Sequence, residues 1–167
     1  MANEIQEKKK QLIDKVMRER PEVLSAKRFT GVIVLIWLAT RVFQLVTEYY
    51  CVLLDVAEFS VLNTVVLLVT VLFVWTIYQG VKTLAFLPIL GGIFMIIQTF
   101  KNGLYSLLFA DVMLPVKLYA GAFILAAYAQ VVLLVFLVAN SKSNIYFDAM
   151  KDVAKRLGID GDSQRLR

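Results

Sequence analysis

Histidine is absent from the 167 residues, cysteine occurs once and proline three times. The missing imidazoles remove the commonest general base, proton carrier and transition-metal ligand at one stroke. The lone thiol, Cys51, excludes an internal disulfide and leaves the redox compartment unread. Charge is scarce through the middle of the chain as well: residues 29–140 hold four basic and four acidic side chains.

Apolar length is what the chain has in excess. Hydrophobic residues make up 59% of it, and the mean hydropathy is +0.71. A soluble domain is about half apolar, and here the surplus is gathered into runs. A span of the hydrocarbon core needs roughly 20 helical residues at about 1.5 Å each. By that test the spans are 29–50, 60–80, 84–100 and 118–140, the third short enough to extend into the apolar stretch 103–112. Membrane β-strands would alternate over about 10 residues, which these runs do not. The first run starts too far in and runs too long for a cleaved signal sequence, so it is expected to be retained.

The fold class expected is therefore all-α: an integral membrane four-helix bundle with amphipathic cytoplasmic helices at the N- and C-termini. Residues 1–28 form a basic N-terminal helix, 29–140 the four-span domain, and 141–167 a C-terminal helix and tail. Lysine and arginine near span ends mark the cytoplasmic side. Eight basic residues precede the first span and six follow the last, 14 of the 18 in the chain. Both termini are expected in the cytoplasm, of a bacterial inner membrane. A pI of about 9.4 then reflects topology determinants facing anionic headgroups, and no nucleic acid partner is expected.

The two ends read as one-sided helices. Over residues 3–20, Ile5, Leu12, Ile13, Val16 and Met17 recur at three- to four-residue spacing, with Asn3 as a cap and Pro21 ending the helix or opening another. In the tail, Ser143 or Asn144 caps a helix with the stripe Phe147, Met150, Val153, Ala154 and Leu157, closed by Gly158. Asp160 and Asp162 flank a glycine but lack the remaining ligand spacing of a calcium loop, and no metal or cofactor is expected.

Arg41, about halfway through the first span, is the residue most in need of a reason. An arginine at that depth costs roughly 2.5–3.5 kcal/mol on insertion scales. Glu48, seven residues on, returns to nearly the same helix face about 10 Å away, and Thr40, Gln44 and Thr47 lie on or beside it. Depth assigns Thr70 and Gln130 as partners of Arg41, and Asn63 and Gln98 as partners of Glu48, with an Arg41–Glu48 pair also within reach. The stripe is open to three readings: an internal hydrogen-bonded seam, a docking face for a membrane-protein partner, or a substrate or ion pathway.

Pro88, Gly91 and Gly92 mark a kink or close approach in the third span. Ala122 and Ala126 make a small-xxx-small pair beside Gly121 in the fourth. Residues 101–117 are too apolar for an ordinary loop; an interfacial helical turn is expected, with Tyr105 at headgroup level and Pro115 opening the last span, a re-entrant loop being the alternative. No cluster of catalytic type faces another, so no enzyme is expected. The functional expectation is a non-catalytic accessory or interaction subunit of a membrane complex, in contact with anionic lipid and with a partner or a second copy. The alternative is a small homo-oligomeric transporter or channel with Arg41 and Glu48 lining the pathway. The four-span layout is common to many unrelated proteins and transfers no function.

Overall fold

The computed structural model describes residues 2–55 and 61–157, with side chains from residue 7 onward. The elements in chain order are α1 (Ala2–Glu19), α2 (Pro21–Leu53), α3 (Val61–Tyr78), a 3₁₀ turn (Lys82–Ala85), α4 (Phe86–Lys101), α5 (Leu104–Phe109), α6 (Leu114–Ala139) and α7 (Ser141–Arg156). Among the described residues there is no strand. Four stretches are long and apolar enough to cross a membrane: Pro21–Leu53, Val61–Tyr78, Lys82–Lys101 and Leu114–Ala139.

α2 is the axis of the structure. Pro21 stands in its first turn, where the missing N–H leaves no bond unmade. The 33-residue helix is about 50 Å long, more than a hydrocarbon core of about 30 Å needs. The helix break therefore lies at Arg20, and residues 21–28 belong to the same rod as the first span. Along that rod Val23, Ala26, Thr30, Ile33, Val34, Trp37, Arg41, Gln44, Glu48 and Cys51 are buried, one stripe at three- to four-residue spacing from end to end. α6 packs most extensively on this stripe, with α3 and α7 beside it; α4 packs on α6, and α1 on α2 and α7.

The terminal half of the stripe is apolar. Val23, Ala26, Ile33, Val34 and Trp37 join Ile77, Leu134, Leu137 and, from α7, Tyr146, Phe147, Ala149 and Met150 in one cluster, with Ile13 and Val16 of α1 against it. α7 keeps Lys142, Asp148, Lys151, Asp152, Lys155 and Arg156 exposed on its other side. Where water reaches that side, burying each large apolar side chain contributes about 1.5–3 kcal/mol. Between helices surrounded by lipid that driving force is missing, and packing and hydrogen bonds act instead.

The corners are chemically specific. Asn140 ends α6 and caps α7, its side chain accepting from Lys142 N at 2.9 Å. It takes the place expected for Ser143 or Asn144, because α7 begins three to four residues earlier: Ser143 is buried, and Asn144 accepts from Lys82 Nζ at 2.6 Å. The Tyr146 hydroxyl donates to the Tyr78 carbonyl at the end of α3. Gly80 follows at φ +94°, and a Cβ there would run into the Met150 side chain. Only a glycine lets α7 close over this turn. Asn3 lies within α1 and not ahead of it. The expectations placed on the Ile5 side chain, Gly158, Asp160 and Asp162 fall outside the described residues.

The third and fourth spans also differ from expectation. Gly103, at φ 64°, separates α4 from α5, so the stretch 103–112 does not extend the third span. α5 leans on α6: the Tyr105 hydroxyl donates to Tyr128 Oη at 2.8 Å, and Gly121 faces Leu108. Pro115 does open α6. Pro88 produces no break within the span, because it sits in the first turn of a continuous α4, where its backbone needs no donor. Gly92 lies close against α6; a Cβ there would lie 2.7 Å from Val131 Cγ2, whereas one at Gly91 would meet Gln130 Nε2 at an ordinary 3.5 Å. Ala122 and Ala126 are buried in α6.

Overpacking of this kind costs about 1–3 kcal/mol. Gly92→Ala and Gly80→Ala should each lower the thermal unfolding midpoint in detergent, and Gly91→Ala should leave it nearly unchanged. Burial and the neighbouring Tyr78 push the Tyr146 phenol well above its ordinary value. A neutral form favoured by folding confers stability that is full below the ordinary tyrosine value of about 10 and is lost as pH rises beyond it. Unfolding midpoints measured across that range should fall in the wild type and fall less in Tyr146→Phe.

Candidate functional site

Beyond Trp37 the buried stripe of α2 turns polar. Arg41 is 4% exposed, and its described partners are neutral. One guanidinium nitrogen donates to Gln44 Oε1 at 2.9 Å, one helical turn on. The other donates to Gln130 Oε1 on α6 and lies 2.7 Å from the Met95 sulfur on α4. The same Gln130 oxygen accepts from the Trp37 indole at 3.3 Å, while its amide nitrogen donates to the Pro88 carbonyl. Bonds to a charged group contribute about 1.5–3 kcal/mol each, so the two amides offset an insertion cost of the size an arginine incurs here.

A second polar layer lies about two turns further along α2. Asn63 Nδ2 of α3 donates to Glu48 Oε2 at 2.7 Å. Tyr119 of α6 is close to both. Next to them the Cys51 thiol donates to the Pro115 carbonyl at 3.3 Å, tying the end of α2 to the start of α6. Glu48 is buried and belongs to this layer through Asn63.

The residues assigned by depth thus divide. Gln130 meets Arg41, and Asn63 meets Glu48. Thr70 is buried but bonds back to Val66 O on its own helix, and Gln98 enters neither layer. The hydroxyls of Thr40 and Thr47 bond to Trp37 O and Gln44 O, which satisfies them within α2. Thr47 is buried, while Thr40 is only partly so. Gly91, Gly92 and Gly121 line the packing faces already described, and Pro88 supplies a carbonyl, not a hinge.

Sequence reasoning missed Trp37, Met95 and Tyr119. A signal existed for the first: Trp37 is four residues before Arg41, and a buried indole N–H takes a partner. Met95 and Tyr119 read as ordinary apolar span residues.

Between the two layers a crevice of ≈ 10 Å³ is lined by Arg41, Gln44, Asn63 and three aliphatic side chains. That is room for about one water. Arg41 Nε and Thr64 Oγ1 are buried without a described partner, so the layers form a tight seam with a little unused donor capacity. Among the described residues no three Cys, Asp or Glu side chains gather into a metal-binding group. No family model, curated protein or solved structure matches the chain.

The network predicts an asymmetry. Removing Gln130 strands a buried cation, an indole N–H and a carbonyl, whereas removing Arg41 leaves neutral groups that still satisfy one another. Gln130→Leu should destabilise by at least about 3 kcal/mol, and Arg41→Met by much less. The double variant should recover part of the Gln130→Leu loss. Thermal unfolding in lipid nanodiscs checks the order; equal losses in both single variants would show that Gln130 does not carry the charge.

Proposed function

We propose that the protein is a non-catalytic multi-pass membrane protein that works as an interaction or accessory subunit of a membrane complex. In this reading its four spans form an antiparallel bundle. α1 and α7 are amphipathic helices at the cytoplasmic surface of a bacterial inner membrane. Their mutual packing supports placing both chain ends on one side, and the basic residues beside them support the cytoplasm.

The observation that carries the proposal is the state of α3. Only Thr70 and Ile77 are buried in it, and 11% of its most apolar stretch is covered, against 28% to 33% in the other spans. Its main helical neighbour is α2. Val61, Val65, Leu68 and Leu72, spaced at four, three and four residues, are all exposed, the spacing of a seam that packs against another helix. Helix association in lipid depends on packing of this kind, so α3 offers a partner span an uncommitted ridge. The polar seam is not the docking face in this reading, because Arg41 is committed inside the chain.

A small homo-oligomeric transporter with Arg41 and Glu48 on its pathway is the second reading. It draws on the buried charge at mid-depth, but the crevice between the layers has room for about one water.

Native mass spectrometry of the tagged protein, extracted from its own membrane with lipid retained, separates the two. A defined complex with other chains is expected, weakened tenfold or more by Leu68→Ala with Leu72→Ala and retained in Arg41→Met. A symmetric homo-oligomer, or a monomer carrying lipid alone, would overturn the subunit reading.

A further inference from the structure

Beside the α3 ridge, between α2 and α3 toward the end of the structure that holds α1 and α7, a groove of ≈ 570 Å³ is open to the surroundings. Arg28, Gly31, Val32 and Leu35 line it from α2, and Val71 and Trp75 from α3. Its volume lies within the range of about 300–1,000 Å³ usual for ligand sites.

We propose that this groove binds one acyl chain of an anionic phospholipid, with the lipid phosphate on Arg28. The polarity of the groove is that of an amphiphile. Arg28 is the charged residue of the lining and lies at one end; from it to Leu35 the wall runs for seven residues of α2, about 10 Å of helix, past aliphatic side chains. Val32, Leu35 and Trp75 are 55%, 61% and 62% exposed, so a chain lying there covers apolar surface along its whole length. Gly31 shapes the floor. Without a side chain it allows the Tyr78 ring close, 3.2 Å from where a Cβ would stand.

The cation at the mouth is available. Arg28 is exposed and has no hydrogen-bond or ion-pair partner among the described residues, whereas its neighbour Lys27 is held over the Tyr78 ring at 5.2 Å. A guanidinium matches the paired oxygens of a phosphate in a fork that an ammonium lacks. Arg28 is also the eighth residue of the α2 rod, where the apolar stretch begins and a headgroup would lie. A partner helix, about 10–12 Å across, would meet that cation with no need of it, whereas an anionic lipid satisfies both the charge and the apolar wall.

The test uses the purified full-length protein in vesicles of equal phosphatidylglycerol and phosphatidylcholine, with photoreactive benzoylphenylalanine placed at Leu35. The masses of the cross-linked adducts are then read. Phosphatidylglycerol adducts should exceed phosphatidylcholine adducts by about fivefold, the preference that one basic side chain confers near an anionic headgroup. Arg28→Gln, a surface change that leaves the fold alone, should bring the ratio to about one, and Arg28→Lys should keep part of the preference. Equal labelling of the two lipids in the unaltered Arg28 protein, no change in Arg28→Gln, or a cross-link to a second copy or a co-purified chain would each overturn the assignment. These outcomes are independent of the α3 ridge, whose alanine variants leave the groove lining intact.

Discussion

The amide of Gln130 is where three spans are tied to one another. Its oxygen takes the Arg41 guanidinium and the Trp37 indole of α2, and its nitrogen donates to the Pro88 carbonyl of α4. In lipid there is no water to satisfy any of these groups, so a shift of α6 by one residue would leave several donors bare at once. Interhelical polar contacts average only about 0.6 kcal/mol, yet they discriminate strongly between registers, because each wrong register strands a charge. The seam therefore supplies specificity where packing of Leu against Val is permissive. Gly92 completes the arrangement by letting α4 approach α6 beside Gln130 and Val131.

The two halves of the α2 stripe are held by different forces. Toward α1 and α7 the stripe is apolar and is closed by Phe147, Met150 and Tyr146, an arrangement the hydrophobic effect favours wherever water is near. Beyond Trp37 the stripe is polar, and hydrogen bonds take over. α3 belongs to neither half firmly: Asn63 anchors one end and Ile77 with the Tyr78 carbonyl the other. Between them its surface is largely uncovered, and both the ridge and the groove follow from that.

On the proposed reading such a molecule holds other components. Arg41 and Glu48 are each bonded to amide side chains inside the chain, and its open surfaces are apolar with basic margins. A partner span on α3 and a lipid between α2 and α3 would complete the packing that the chain leaves unfinished.

The number and approximate ends of the spans were legible in the sequence, because a run of about 20 apolar residues has no other stable use in water or lipid. So was the inward-facing stripe of Arg41, Gln44 and Glu48, since helical periodicity alone sets which residues share a face. Depth counting also brought out Gln130 and Asn63. It failed for Thr70 and Gln98, because depth gives height along a helix but not rotation about it. A threonine can also turn back to its own carbonyl, as Thr70 does. The continuity of α2 through residue 28, the separation of α5 from α4 and the harmless position of Pro88 were settled only by the folded chain. Each depends on where a helix starts, which local composition leaves open and which neighbouring elements decide through the bonds they offer.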